Sequence, residues 1–307
     1  MIAISVVIIN YNTADFTVKC INSLLQHAPE NLSFQYIIVD NASSQDSYDR
    51  VSAYIKTLQD EIDICLIRSK INTGFGGGNM LGVQKAKGKY IAFVNNDVEL
   101  ENDCFTSLYR FMEKTPQAGV CGPQAFNRNN KLLPTIDHFA SLPREFFGRK
   151  LLEKINANKY PKRKKEYNTP IRAQFVAGSF MFFKAEYFNT IGGFDTNIFL
   201  YYEETDICKR LLNINKEAYL VPEGKFIHYH GASTEKSIKI KTELKISLLY
   251  VIKKHYGVVS FYILLTYLQI RYFFSSIFKP KYWPLFWVLL LQAPLTKSIK
   301  HNQKIID

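Results

Sequence analysis

Short apolar runs rich in Val, Ile and Tyr occupy residues 3–9, 36–39, 64–67 and 90–94. Segments with helical spacing lie between them, near 17–26, 48–58 and 80–87. This alternation constrains the chain more than any other feature. Strand and helix in turn, with short connections, predict an α/β fold with a mainly parallel central sheet covered on both faces. Ligands of such sheets gather outside the carboxyl ends of the strands. The polar residues just after each apolar run are therefore where chemistry is expected.

Further along, the spacing predicts a helix over 104–114 ended by Pro116, a strand over 120–124, and a return of the core at 175–183. A turn at Gly192-Gly193-Phe194-Asp195 leads to a helix over 205–213 and two short strands, 218–221 and 226–229. Residues 127–170 carry four prolines and many basic residues with little periodicity, and read as a long excursion over the active-site face.

The 307 residues carry a net charge of +12, which suits anionic partners such as nucleotide diphosphates, nucleic acid or an anionic membrane. The five cysteines are scattered, with no CxxC pair, so neither a disulfide framework nor a zinc site is expected. The apolar start lacks a basic leader and a cleavage site, and reads as a buried first strand. From Lys236 onward the only acids are Glu243 and Asp307. There a basic amphipathic helix over 238–256 precedes apolar runs at 258–270 and 283–291. Short apolar helices flanked by Lys, Arg, Trp and Tyr fit an anchor lying in the membrane plane; a helical lid or a dimer face is the alternative. The expected division is a nucleotide-binding domain over 1–235 and a basic, apolar helical region over 236–307.

Several strand ends carry chemistry-bearing residues. The first stops at Asn10-Tyr11-Asn12 and the second at Asp40-Asn41. An Asp there accepts hydrogen bonds from a nucleoside, or else caps the next helix. Asn72-Thr73-Gly74-Phe75-Gly76-Gly77-Gly78-Asn79 follows the third run. Its glycines permit close backbone approach to a ligand, but the spacing is neither a dinucleotide fingerprint nor a P-loop. The fourth run ends in Asn95-Asn96-Asp97. Such an oxygen-rich end suits Mg²⁺ or Mn²⁺ bridging to phosphates, or a helix cap. Glu203, Glu204 and Asp206 crowd the start of a helix, where one raises the pKa of another and a general base becomes available. His228 and His230 share one face of a short strand, as structural residues or as metal ligands.

Taken in order, these pieces resemble the family 2 glycosyltransferases of the GT-A fold, and within them the bacterial rhamnosyltransferase-like branch. The match includes Gly178-Ser179-Phe180-Met181 and ends at His228-x-x-Gly-x-Ser-Thr234. The resemblance implies that Asn10, Tyr11, Asp40, Asn72, Gly74, Asn79 and Asn96 line the nucleotide-sugar site. Asp97 and His228 would hold the metal, with His230 as the fallback. Glu204 stands where the family usually has the Asp of a Glu-Asp pair and would be the catalytic base. Glu203, Asp206 and Gly178 would meet the acceptor. The implied reaction is inverting sugar transfer from a dTDP-rhamnose-like or UDP-sugar donor. The implied acceptor is a glycan, lipid-linked, in cell-surface polysaccharide assembly. The protein would sit peripherally at the cytoplasmic face of the membrane, with no nucleic-acid partner and with a homodimer as an option. A nucleotidyltransferase or a non-catalytic nucleotide-sugar or glycan-binding subunit are the rival readings. The former lacks a phosphate-gripping loop after the first strand.

Overall fold

The computed structural model describes residues 2–229 and 237–306. Its first half is the predicted alternation: β1 (Ile4–Asn10), α1 (Ala14–Gln26), β2 (Phe34–Asn41), α2 (Gln45–Lys56), β3 (Ile64–Ser69), α3 (Gly74–Val83) and β4 (Tyr90–Asn95). Then come β5 (Val98–Leu100), α4 (Cys104–Lys114) and β6 (Ala118–Phe126). The excursion contains β7 (Ile136–Asp137) and α5 (Leu142–Ile155), and is followed by β8 (Ile171–Ala173), β9 (Phe175–Val176), β10 (Phe180–Lys184) and α6 (Ala185–Thr190). The chain continues through α7 (Glu203–Leu212), β11 (Glu217–His228), α8 (Ile238–Phe278) and α9 (Trp283–Leu290).

The main sheet runs β3-β2-β1-β4-β10-β6-β11-β5, with β8 also paired to β11. Strands β3, β2, β1 and β4 are parallel, whereas β10 lies antiparallel between β4 and β6. Period-2 alternation sorts side chains to two cores. Ile4, Val6, Ile8, Tyr36, Ile38 and Ala92 face one layer with α1, α2 and α4; Val7, Ile37, Val39, Ile91 and Phe93 face the other. Both faces are covered, which is why these strands read as nearly continuous apolar runs. Residues 40–41 and 95–97 come side by side at the carboxyl edge of the sheet, since β1 pairs with both β2 and β4.

Three local expectations change. The glycine run is the first turns of α3 rather than a loop before a helix. A Cβ at Gly82 would lie 2.4 Å from Val7, and one at Gly78 would lie 2.9 Å from Ile9. The small residues let α3 press directly onto β1. The two closing strands are one strand, β11, whose register against β6 shifts between Leu220 and Lys225, around Pro222 and Gly224. The basic amphipathic segment 238–256 and the apolar run at 258–270 join into one helix, α8, broken at Gly257, where φ is +81°, while the run at 283–291 is the separate α9. Helices α8 and α9 form a third core that also takes in Ala140 and Ile198, so the C-terminal region is packed onto the sheet domain. All five cysteines are free, and Cys20, Cys104, Cys121 and Cys208 are buried.

Candidate active site

A cavity of about 710 Å³ opens over the carboxyl edge of the sheet. Its walls include Tyr11, Asn41, Asn72, Gly74, Asn79, Asn96, Asp97, Gly178, Glu203, Glu204 and His228. Asp97, His228 and Glu204, far apart in sequence, thus face one space. Asp97 follows β4, and β11 ends at His228 paired with Val98. The pairing sets His228 Nε2 3.1 Å from Asp97 Oδ1, with both side chains almost wholly buried. The Tyr229 N–H donates to the Asp97 carbonyl at 3.0 Å and locks the crossing. His230 lies outside the described residues.

Glu203 and Glu204 open α7. Tyr201 and Tyr202, just before them, both take positive φ (+72° and +71°), a costly backbone for residues with a Cβ that swings the helix start over the cavity. Glu204 Oε1 accepts a hydrogen bond from the Gly178 N–H at 3.0 Å. Glu203 Oε1 is buried with no hydrogen-bond partner among the described residues. Burial pushes the pKa of both carboxyls up, and for Glu203 the adjacent Glu204 adds to the rise, taking it well above the usual range. Two neighbouring buried carboxyls do not both ionise. The N–H donor favours the charge on Glu204 and leaves Glu203 neutral.

Other predicted residues take different stations. Asn10 and Asp40 are fully buried behind the cavity wall. Asn10 Nδ2 donates to Asp40 Oδ1 at 2.8 Å and to Ser43 Oγ at 3.0 Å, and the Ser43 N–H donates to Asp40 Oδ2 at 3.2 Å. Thr17 Oγ1 donates to Asn10 Oδ1 at 2.8 Å and accepts from Asn96 Nδ2 at 2.8 Å. A buried hydrogen-bond chain therefore links Asp40 to the residue beside Asp97, and in this arrangement Asp40 and Asn10 shape the strand ends without facing the cavity. Asn72 Oδ1 accepts from the Gly74 N–H at 2.9 Å, and Asn79 Nδ2 donates to the Phe75 carbonyl at 3.1 Å. Gly74 is required: φ is +74°, and a Cβ would lie 2.0 Å from the Phe199 carbonyl oxygen.

Asp206 departs furthest from expectation. It faces away from the cavity, on the side of α7 that packs against α8. Arg210 Nη2 approaches its Oδ2 at 2.6 Å, while Lys254 Nζ (2.7 Å) and His255 Nε2 (2.8 Å) meet Oδ1. Asp206 lies one helical turn on from Glu203, and its contacts with Lys254 and His255 turn its carboxylate to α8. Asp206 is an anchor between helices rather than a residue placed to meet an acceptor. Conversely, sequence reasoning assigned no role to Asn41, which lines the cavity and holds the Thr73 N–H, the Asn72 side chain and the Gly74 carbonyl. Its position next to Asp40 at a strand end was the available signal. Lys239, Ile240, Ile299 and Gln303 also reach the cavity from the C-terminal region, and no local pattern marked them.

The family model "Glycosyl transferase family 2" matches residues 5–192. The chain belongs to glycosyl transferase family 2. It is similar to the dTDP-rhamnosyl transferase RfbF of Shigella flexneri, 24% identical over 262 residues, or 84% of this chain and 78% of that protein. It is also similar to the rhamnosyltransferase WbbL of Escherichia coli K12, 29% identical over 194 residues, or 59% of this chain and 71% of that protein. These relatives support the rhamnosyltransferase-like branch of the family, and with the family match they make the chain a glycosyltransferase. Among solved structures, GalNAc-T7 crystallised with UDP, GalNAc and Mn²⁺ superposes with a TM-score of 0.60 at 16% identity, covering 82% of this chain and 48% of that one. S. aureus TarS superposes with a TM-score of 0.54 at 11% identity, over 82% of this chain and 40% of that one. The chain spans about half or less of those two structures, and the likeness establishes the GT-A fold.

Proposed function

We propose that this family 2 glycosyltransferase moves a sugar, with inversion, from a nucleoside-diphosphate donor to a hydroxyl of a glycan acceptor. The carrying observation is that the Asp97–His228 pair and the Glu204 carboxylate line one cavity. Its volume, about 710 Å³, suits a nucleotide sugar. Glu204 takes the acceptor proton. The freed oxygen bonds to the anomeric carbon as the bond to the diphosphate breaks, and the electron pair leaves with the nucleotide. Keeping the charge on Glu204 while Glu203 stays neutral gives one base and one hydrogen-bond donor side by side.

Asp97 and His228 supply an oxygen and a nitrogen ligand within reach of one ion, a donor set that accepts Mg²⁺ or Mn²⁺. Among the described residues no group of three or more His, Cys, Asp or Glu gathers at one point, so donor phosphates would complete the shell. An ion held by Asp97 and His228 would supply positive charge against the departing diphosphate. The names of the relatives favour a dTDP-rhamnose-like donor, and UDP-sugars are the second class to test. The basic, apolar C-terminal region supports a lipid-linked acceptor and a peripheral station at the membrane.

Glu204→Gln is the decisive variant. Transfer and donor hydrolysis should fall by about 10²–10⁴, while stabilisation by nucleoside diphosphate with Mn²⁺ in a thermal-shift assay is retained. Unchanged turnover would remove Glu204 as the base and favour a binding subunit.

A further inference from the structure

The largest feature the reaction does not use is an exposed apolar face outside the cavity. Beyond Gly257, α8 divides lengthwise. Phe261, Leu264, Leu265, Leu268, Tyr272 and Ser276 are buried against the third core. On the other side Val259, Ile263, Ile270, Phe274 and Ile277 form a solvent-facing stripe at helical spacing, with Val259 74% exposed. The stripe continues through the exposed Phe273 of α8 to the exposed Trp287 of α9, whose rings are bridged by those of the half-buried Trp283 and the buried Phe286. It also continues onto an element that no local pattern marked. Helix α5, inside the proline-rich excursion, exposes Phe146, Phe147, Leu151 and Ile155, the last two thirds exposed at 69%. The Phe146 ring meets the Tyr267 ring of α8 at 5.0 Å, edge to face.

Soluble monomers rarely leave so much contiguous apolar surface in water. The charges around it are of one sign. Lys150 and Lys154 on α5, Arg271 on α8, and Lys279 and Lys281 before α9 are exposed. The acids of α5 turn inward, Glu145 to Arg144 and Glu153 to Arg163. Glu243, the sole acid of α8, is buried on Ser298 and the Ile299 N–H. A second copy of the chain would bring the same positive rim against itself, whereas an anionic bilayer offers apolar depth and opposite charge together.

We infer that α5, the second half of α8 and α9 form one docking face that lies in the plane of an anionic bilayer. This deepens the membrane-surface reading above by adding an element from within the catalytic domain, and it does not depend on the transfer chemistry. Helix α8 is long and apolar enough to cross a membrane by length and composition alone. Its buried stripe, however, is already committed to the third core. The face is also fixed relative to the site. Arg149 Nε donates to Asp137 Oδ1 at 2.8 Å and ties α5 to β7, while Pro134, just before β7, lines the cavity. With both α5 and α8 seated, the catalytic domain is held at one tilt over the bilayer.

The test is vesicle flotation of the full chain with phosphatidylglycerol–phosphatidylcholine vesicles and with phosphatidylcholine alone. Three proteins are compared: wild type, Phe147→Glu/Ile155→Glu in α5, and Val259→Glu/Ile270→Glu in α8. Wild type should float with anionic vesicles and much less with neutral ones. Each double variant should partition about tenfold or more weakly, with melting temperature and donor hydrolysis unchanged. An α5 variant that floats like wild type would remove α5 from the face. A wild type that stays unbound, or a dimer by light scattering that either variant splits, would assign the surface to a second copy and overturn the inference. Carbonate-resistant insertion would replace in-plane docking by a span. Donor hydrolysis, read separately, reports on the transfer reading alone.

Discussion

Replacing Asp206 by Asn tests whether the C-terminal helix holds α7, and with it Glu203 and Glu204, in place. Asp206 is fully buried among Arg210, Lys254 and His255. Burial by itself would raise its pKa, but His255, Arg210 and Lys254 outweigh burial and bring the carboxyl from 3.8 down to about 2. A carboxyl depressed that far corresponds to about 2.5 kcal/mol of stability. The folded pKa lies below the unfolded one, so this contribution is full above about pH 4 and is lost as pH falls through about 2. Asn also leaves Arg210 and His255 without their anion, and breaking a buried pair from one side typically costs about 3–5 kcal/mol. Lys254 keeps Asp195 at 2.6 Å, which places the expectation at the lower end, about 3 kcal/mol at pH 7. Urea unfolding followed by circular dichroism measures it. The gap between wild type and variant should narrow below about pH 4, to roughly half by pH 3. Because α7 carries the site carboxyls at its start, turnover should fall more than donor KM rises. A loss under about 1 kcal/mol at pH 7, or a gap that stays constant down to pH 3, refutes the anchoring argument.

Two further variants probe the carboxyl pair. In Gly178→Ala the new Cβ would lie 2.8 Å from Glu204 Oε1. The carboxylate, being a side-chain end, can move aside at little cost to the fold, so turnover should drop by about tenfold or more with a nearly unchanged melting temperature. Equal turnover would show that the Gly178 contact does not position the base. Glu203 is held neutral, with a folded pKa above its unfolded 4.5. The unfolded chain therefore gains by ionising it as pH rises above about 4.5, and the native state is weakened in that range. Glu203→Gln should raise the melting temperature at pH 7 and make little difference below about pH 4. A lower melting temperature at pH 7 would contradict a neutral Glu203.

Much of the fold was legible along the chain because local rules produce it. The apolar runs ending at Asn10, Asn41 and Asn95 are strands buried on both faces, and their alternation with helices specifies a parallel sheet with its site at the carboxyl edge. Asp97, His228 and Glu204 were recognisable as residue types at element ends, and the ordered motifs carried the family. Helix α8 was visible up to the glycine at 257 for the same periodic reason.

Tertiary packing decided the rest. In sequence Asp40 is a nucleoside ligand or a helix cap, and the family resemblance makes Asp206 an acceptor-site residue, but their directions depend on partners far away in sequence, Asn10 for the one and Lys254 and His255 for the other. The glycines permit close approach of a ligand when read in sequence; that Gly74 lines the cavity while Gly78 and Gly82 make room for Ile9 and Val7 depends on where β1 lies against α3. Helix α5 looked like irregular loop, since Gly148, at φ +75°, breaks its periodicity and its apolar residues make sense only beside Tyr267. Sequence determines which residues can make a strand, a cap or a charge; which of those groups share a cavity, a clamp or a surface is set by contacts between segments distant along the chain.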